Sequence, residues 1–483
     1  MRWLTLHWVT SPRFEIAASL AVIMCGQVLW WRRRDNVFGY IAGATYIVTI
    51  AVPIFGTNII AESDPQVARR LAGILMIGAV AHVLGLGGGG VIGNRARLGH
   101  HHTFTQPFGA QPFGVSVPPA LYRWARRLAI ASVVLMVGSF ALLGYIPAFA
   151  ADKAAAKYGV GIYAAGAARG GLFYHIALAL GSVALPIMLV IFWRRRRFTD
   201  LALSGAIGVG LLLTLSRQNA FSGPLIVLVA VLAERRWKPW RILGIVCLSL
   251  FFGTLVNELI FSAPEGVATP SFASRVAASA PDVHDQLGFL SGFQILGSER
   301  IGTRTLTAGL SVHKGRWDPG QYAVRTLTLL PDASGVGSGG IRLPAAEWGY
   351  ASYGWPGVVV WSLLSGLFAG WGTVVVRRLV APANRGSRAS LNYVLAWVFY
   401  TGTFGLLADF YFPERSGLLL LMVALAVGYA GIRGRKRAER ESVNAAFWQI
   451  GEIAAGRDGA VSGASHGAPI GTGPGFLDRR PTN

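Results

Sequence analysis

The chain has 483 residues, 53% hydrophobic and only 14% charged, with a mean hydropathy of +0.48; these values exclude an ordinary water-soluble domain. Its formal net charge of +22 invites a nucleic-acid reading. The arginines, however, cap apolar runs, where each gains about 1 kcal/mol beside an anionic leaflet, and nucleic acid is set aside as a partner.

In chain order, apolar segments long enough for a ~30 Å hydrocarbon core fall at about 14–31, 37–56, 71–92, 128–149, 171–193, 199–216, 218–233, 241–261, 355–376, 391–409 and 415–432. They predict an all-α polytopic membrane protein of about 11 transmembrane helices. The first segment is followed by Arg32, Arg33 and Arg34 in place of a small-residue cleavage site, so it is expected to be retained as a span. Every second connection is basic: Arg32–Arg34, the 93–127 loop, Arg194–Arg197, Glu234–Arg241, Arg377–Arg388 and Arg433–Arg440. The positive-inside rule assigns those to the cytoplasm, with the N-terminus outside and the C-terminus inside. The expected organisation is an N-terminal bundle over 1–261, a large extracytoplasmic loop over 262–354, C-terminal spans over 355–432 and a disordered cytoplasmic tail over 433–483.

Several motifs carry no chemistry. Gly85–Gly90, GLGGGG, lacks the lysine of a phosphate loop and reads as close helix packing or a local kink. His100, His101 and His102 form a solvated run, followed by QPFG at Gln106–Gly109 and again at Gln111–Gly114. Cys25 and Cys247 both fall within predicted spans, so no disulfide or cysteine metal site is expected outside the membrane.

The external face is richer. Arg217, in TLSRQNAFSGP, lies in an external turn near membrane depth; it is either a snorkelling helix-end arginine or part of an anion site. The large loop carries seven acidic residues (Glu265, Asp282, Asp285, Glu299, Asp318, Asp332, Glu347) and seven basic ones (Arg275, Arg300, Arg304, Lys314, Arg316, Arg325, Arg342). Within it, Leu287, Leu290, Phe293 and Leu296 recur at spacings of three and predict a short helix on the membrane surface. YAVRTLTLLPD reads as a helix ended by Pro331. SGVGSGG is a flexible connector, and IRLPAAEWGYASYG leads into the ninth span. Arginines and a glutamate beside aromatics at the membrane boundary are costly to bury, and they mark a site more than a linker.

This order resembles the large-loop signature of the Wzy-type oligosaccharide repeat-unit polymerases of O-antigen and capsule synthesis. It consists of an Asp-containing helix, Arg325 before Leu330-Pro331-Asp332, a glycine-rich gap, then Glu347, Tyr350, Tyr353, Gly354 and Gly357 at the start of a span. The likeness covers the topology and roughly 70 residues of loop. It departs where Arg325 precedes the proline, where the lysine after tryptophan is missing, and where Ala351-Ser352-Tyr353-Gly354 replaces Asn-Phe-Gly.

The resemblance implies a C-type glycosyltransferase (GT-C) architecture in a bacterial inner membrane. It also implies a polyprenyl-diphosphate-linked oligosaccharide donor, transfer to a sugar hydroxyl on the outer face, and a chain-length regulator and flippase as candidate protein partners beside the membrane lipids. The diphosphate leaving group needs cations. No external loop has the Asp-x-Asp pair that a divalent metal usually wants, so arginines are the candidates, with no metal and no cofactor. Arg217, Arg325 and Arg342 are the diphosphate-binding candidates. Glu347 is the candidate base, beside Trp348 at the boundary, and alternatively a carboxylate balancing a helix dipole. His313 is the rival base, with His284 a weaker one. Trp348, Tyr350 and Tyr353 are candidates for stacking on sugars or for anchoring at the interface. An O-antigen-ligase-like transfer to another acceptor is the alternative, and a lipid-linked oligosaccharide flippase the next.

Overall fold

The computed structural model describes residues 11–31, 50, 54, 60, 63–95, 117, 119–159, 161–235, 237–238, 240–249, 282–296, 300–302, 322–323, 326–327, 329, 343–380 and 389–401. The chain divides into two compact units, Met1–Tyr429 and Ala430–Asn483, and all described residues belong to the first. The expected spans 37–56 and 415–432, and the tail, therefore lie mostly or wholly outside the described residues.

Among the described residues there are helices and no strand. They are α1 Pro12–Trp31, α2 Pro65–Arg95, α3 Pro119–Leu143, α4 Lys153–Tyr158, α5 Ala164–Arg195, α6 Phe198–Leu213, α7 Arg217–Glu234, α8 Trp240–Ser249, α9 Asp282–Ile295, α10 Ala345–Tyr353, α11 Trp355–Val380 and α12 Ala389–Tyr400. Helices at Pro65–Arg95, Leu121–Leu143, the segment containing α5, and Trp355–Val376 are long and apolar enough to cross a membrane. Leu84, Val134, Val137 and Val209 point outward and are more than half exposed, giving the apolar outer face that membrane insertion requires. The fold is that of an all-α membrane protein.

Local chemistry explains the ends. Pro12, Pro65 and Pro119 open α1, α2 and α3, where a missing N–H costs nothing. Asp64 accepts the Gln66 N–H at 2.8 Å and caps α2. The span expected at 128–149 lies earlier, because Arg123, Arg126 and Arg127 are carried in the opening turns of α3, while Gly144, at φ +77°, stops the helix. The turn between α6 and α7 is held by Tyr174, whose hydroxyl donates to the Thr214 carbonyl at 2.9 Å.

Two apolar clusters organise the bundle. One joins α3, α5, α6, α7, α8 and α12 around Ile187, Met188, Ile191, Ile226 and Val229. The other joins α1, α2, α9, α10 and the start of α11 around Leu71, Ile74, Phe289, Phe293 and Trp348. α2 and α11 run parallel and meet backbone to backbone. A Cβ on Gly85 would overlap the Leu363 carbonyl, and one on Gly89 the Leu367 carbonyl. Gly366 and Gly370 receive the His82 and Leu86 carbonyls in the same way. The GLGGGG run is thus a packing device, while Gly87 and Gly88 face open space.

The basic ends of α5 and α7 meet the start of α12. Arg194 donates to both Glu234 carboxylate oxygens at 2.6 Å and to Ser390 Oγ at 3.0 Å, and the Ser390 N–H donates to Glu234 Oε2 at 3.1 Å. Arg195 lies 3.8 Å from the Tyr122 ring centroid, and the Tyr122 hydroxyl donates to buried Asp200. Basic segments that are far apart in sequence therefore collect at one end of the bundle.

Candidate functional site

At the opposite end, the loop helices α9 and α10 seat on the first turns of α2 and α11. α9 extends from Asp282 to Ile295, close to the segment expected from its spacing. It is buried around most of its circumference instead of lying flat: Val283, Asp285, Gln286, Leu287, Phe289, Leu290 and Phe293 are all buried, whereas Leu296 is exposed. The physical reason is a second layer of chain, because a Cβ on Gly292 would overlap the Thr326 carbonyl and one on Gly288 would lie 2.7 Å from Leu327 Cδ1. Residues 322–323 and 326–327 are helical, and Leu329 takes a left-handed φ of +57° before Pro331 is reached.

α10 carries the Glu-Trp-Gly-Tyr stretch. It is bound to α11 through Gly349 and Gly357, each of whose missing side chains leaves room for the other's carbonyl. Between the helices Gly354 adopts φ +70° and ψ −147°, a conformation open in practice only to glycine.

Glu347 sits in the first turn of α10 and is fully buried. The helix dipole favours a carboxylate at that position. Its neighbours in sequence point into packing. The Trp348 ring centroid lies 6.2 Å from that of Phe289, and Tyr350 lies 6.2 Å from Phe293 and 5.4 Å from Trp355. Trp348 and Tyr350 are therefore buried, whereas Tyr353 is exposed and rests 5.4 Å from Trp361. Of the three aromatic candidates, Tyr353 alone presents a large open face.

Sequence reasoning did not single out two cations that the fold fixes here. Arg300 donates through Nη1 to the Tyr350 carbonyl and lies 4.9 Å from the Tyr350 ring centroid and 5.6 Å from that of Phe293. It is exposed yet held against the C-terminal turn of α10, where a cation is favoured. Arg70, in the first turns of α2, donates to Gln294 on α9 at 3.2 Å. Buried Asp285 and Gln286 bring further polar groups to the same end of the second cluster.

Arg217 opens α7, and only its backbone position is described. Arg325, Arg342 and His313 lie outside the described residues, as does the glycine-rich connector. Only the backbone of His284 is described, within α9.

The arrangement offers two buried carboxylates, Glu347 and Asp285, and guanidinium donors held at the end of the bundle where the loop returns. Exposed Arg300 can face an anion there. No family model, curated protein or solved structure matches the chain.

Proposed function

We propose that this chain polymerises polyprenyl-diphosphate-linked oligosaccharide repeat units into a surface polysaccharide by metal-independent glycosyl transfer. The proposed setting is a GT-C architecture on the outer face of a bacterial inner membrane, with the N-terminus outside and the C-terminus cytoplasmic. The reading rests on Glu347, a carboxylate buried in the very helix that carries the polymerase-like stretch, with Arg300 fixed beside that helix.

In the proposed step the acceptor hydroxyl oxygen attacks the anomeric carbon of the donor. Its proton passes to Glu347, or to His313 if the loop places that residue closer. The anomeric C–O bond to the diphosphate breaks, and polyprenyl diphosphate departs with the electron pair. Arg217, Arg325 and Arg342 receive its developing charge. Preorganised donors aimed at such charge are worth about 3 kcal/mol each in well-studied sites. Tyr353 supplies an exposed ring for a sugar face, while Trp348 and Tyr350 hold α10 in place.

The test is the length distribution of surface glycan in a deletion strain complemented with wild type, Glu347→Ala or Arg325→Ala. A polymer ladder reduced to single repeat units, with the variants well expressed, supports polymerisation at this site. Loss of all attached glycan points to ligase-like transfer or to flipping. An unchanged ladder overturns the proposal.

A further inference from the structure

At the basic end of the bundle, the acids are turned inward. Among the described residues Glu234 is engaged by Arg194 and the Ser390 N–H, and Asp200 is buried under Tyr122. The exposed cations Arg196 and Arg235 are left facing outward, and both converge on one indole. Arg196 Cζ lies 4.1 Å from the Trp193 ring centroid and Arg235 Cζ lies 5.4 Å from it. Arg196 has little freedom in its backbone. Its N–H closes the last turn of α5 on the Phe192 carbonyl at 2.8 Å, its φ is +54°, and the next residue, Arg197, is the N-cap of α6. Close by in sequence, Phe198 is 78% exposed and Trp240 is 64% exposed, aromatics of the kind that anchor among headgroups.

We infer that Arg196 and Arg235, braced on Trp193, form a discrete binding site for the phosphodiester headgroup of an anionic phospholipid, with Phe198 and Trp240 against its acyl chains. Ordinary surface cations attract a leaflet through a diffuse field. Here two guanidiniums are held against one indole, 4.1 and 5.4 Å from its ring centroid, and each offers paired N–H donors to phosphate oxygens. The adjoining exposed aromatics favour a lipid over a soluble phosphate. This site is independent of the transfer chemistry proposed above.

Native mass spectrometry of the purified full-length protein tests it, with phosphatidylglycerol, phosphatidylcholine and glycerol phosphate as probes. Phosphatidylglycerol is expected to be retained over phosphatidylcholine. Arg196→Gln and Arg235→Gln are each expected to weaken retention about fivefold, equivalent to about 1 kcal/mol. Lys238→Gln and Arg126→Gln remove the same charge at the same end and are expected to change it less than about twofold. Equal weakening by all four variants would reduce the site to a diffuse field and overturn the inference. Equal retention of both lipids would overturn it too, and competition by glycerol phosphate at similar concentration would overturn the lipid assignment. Arg196→Lys guards against misfolding: it keeps the charge, and it should still lose most of the preference if stacking and two-point contact matter.

Discussion

The glycine run in α2 makes a sharp contrast within five residues. Gly85 and Gly89 lie under backbone carbonyls of α11, whereas Gly87 and Gly88 have nothing within 4 Å of an added methyl. Alanine at 87 or 88 should be neutral or stabilising by up to about 1 kcal/mol, from helix propensity alone. Alanine at 85 or 89 meets backbone that cannot rotate away, so the two helices must separate, at a cost of about 1–3 kcal/mol. The two pairs should therefore differ by about 1–4 kcal/mol although the chemical change is identical. Thermal unfolding of the purified variants in one detergent, followed by tryptophan fluorescence, measures the difference. If Gly87→Ala proves as damaging as Gly89→Ala, the parallel backbone contact between α2 and α11 is wrong.

Other perturbations probe the two ends of the bundle. Gly78→Val puts a branched side chain where even a Cβ would lie 2.7 Å from the Ala346 Cβ, next to Glu347. Transfer should fall about 100-fold from misplacement alone while abundance stays near wild type, as read from the glycan ladder and an immunoblot. Glu234→Gln should destabilise by about 1–3 kcal/mol because a half-buried guanidinium and the Ser390 N–H lose their charged acceptor; Arg194→Gln added to it should cost little more in a denaturation cycle. Arg325→Lys should be nearly as inactive as Arg325→Ala, since a point charge does not replace a two-pronged donor. Adding a chelator to a purified transfer assay should leave the rate unchanged, and complete loss would sink the metal-free chemistry.

Much of the bundle was legible because lipid imposes simple rules. Long apolar runs and alternating basic connections located α2, α5, α7 and α11, and the clustering of Arg194–Arg197 with Glu234–Arg241 followed from the same alternation. The glycine run was readable as close packing, but not which glycines touch, because that depends on the phase of a neighbouring helix about 280 residues away in sequence. The loop was less transparent. A period of three placed Leu287, Leu290, Phe293 and Leu296 on one face of a helix lying on the membrane surface; a second covering layer buries Asp285 and Gln286 as well, while Leu296 is exposed. Arg300 gave no local signal, since its partner is a backbone carbonyl, and backbone carbonyls look alike in every sequence.

The position of Glu347 follows from backbone contacts more than from its own side chain. α11 begins in one apolar cluster, through Val358 and Trp361, and ends in the other, through Val376. Along the way it is locked to α2 by carbonyls that sit where Cβ atoms would be, a contact that tolerates little sliding because backbone has no rotamers to adjust. α10 is locked to α11 by the same device at Gly349 and Gly357, and the Gly354 turn fixes the angle between them. A carboxylate at the third position of α10 is thereby referred to the frame of the whole bundle, although it belongs to a loop. A group that must meet a reacting hydroxyl within a fraction of an ångström gains from such a frame. In the proposed reading the glycines of the Glu-Trp-Gly-Tyr and Tyr-Gly-Trp-Pro-Gly stretches are positioning elements acting through the backbone, while Trp348 and Tyr350 fill the core.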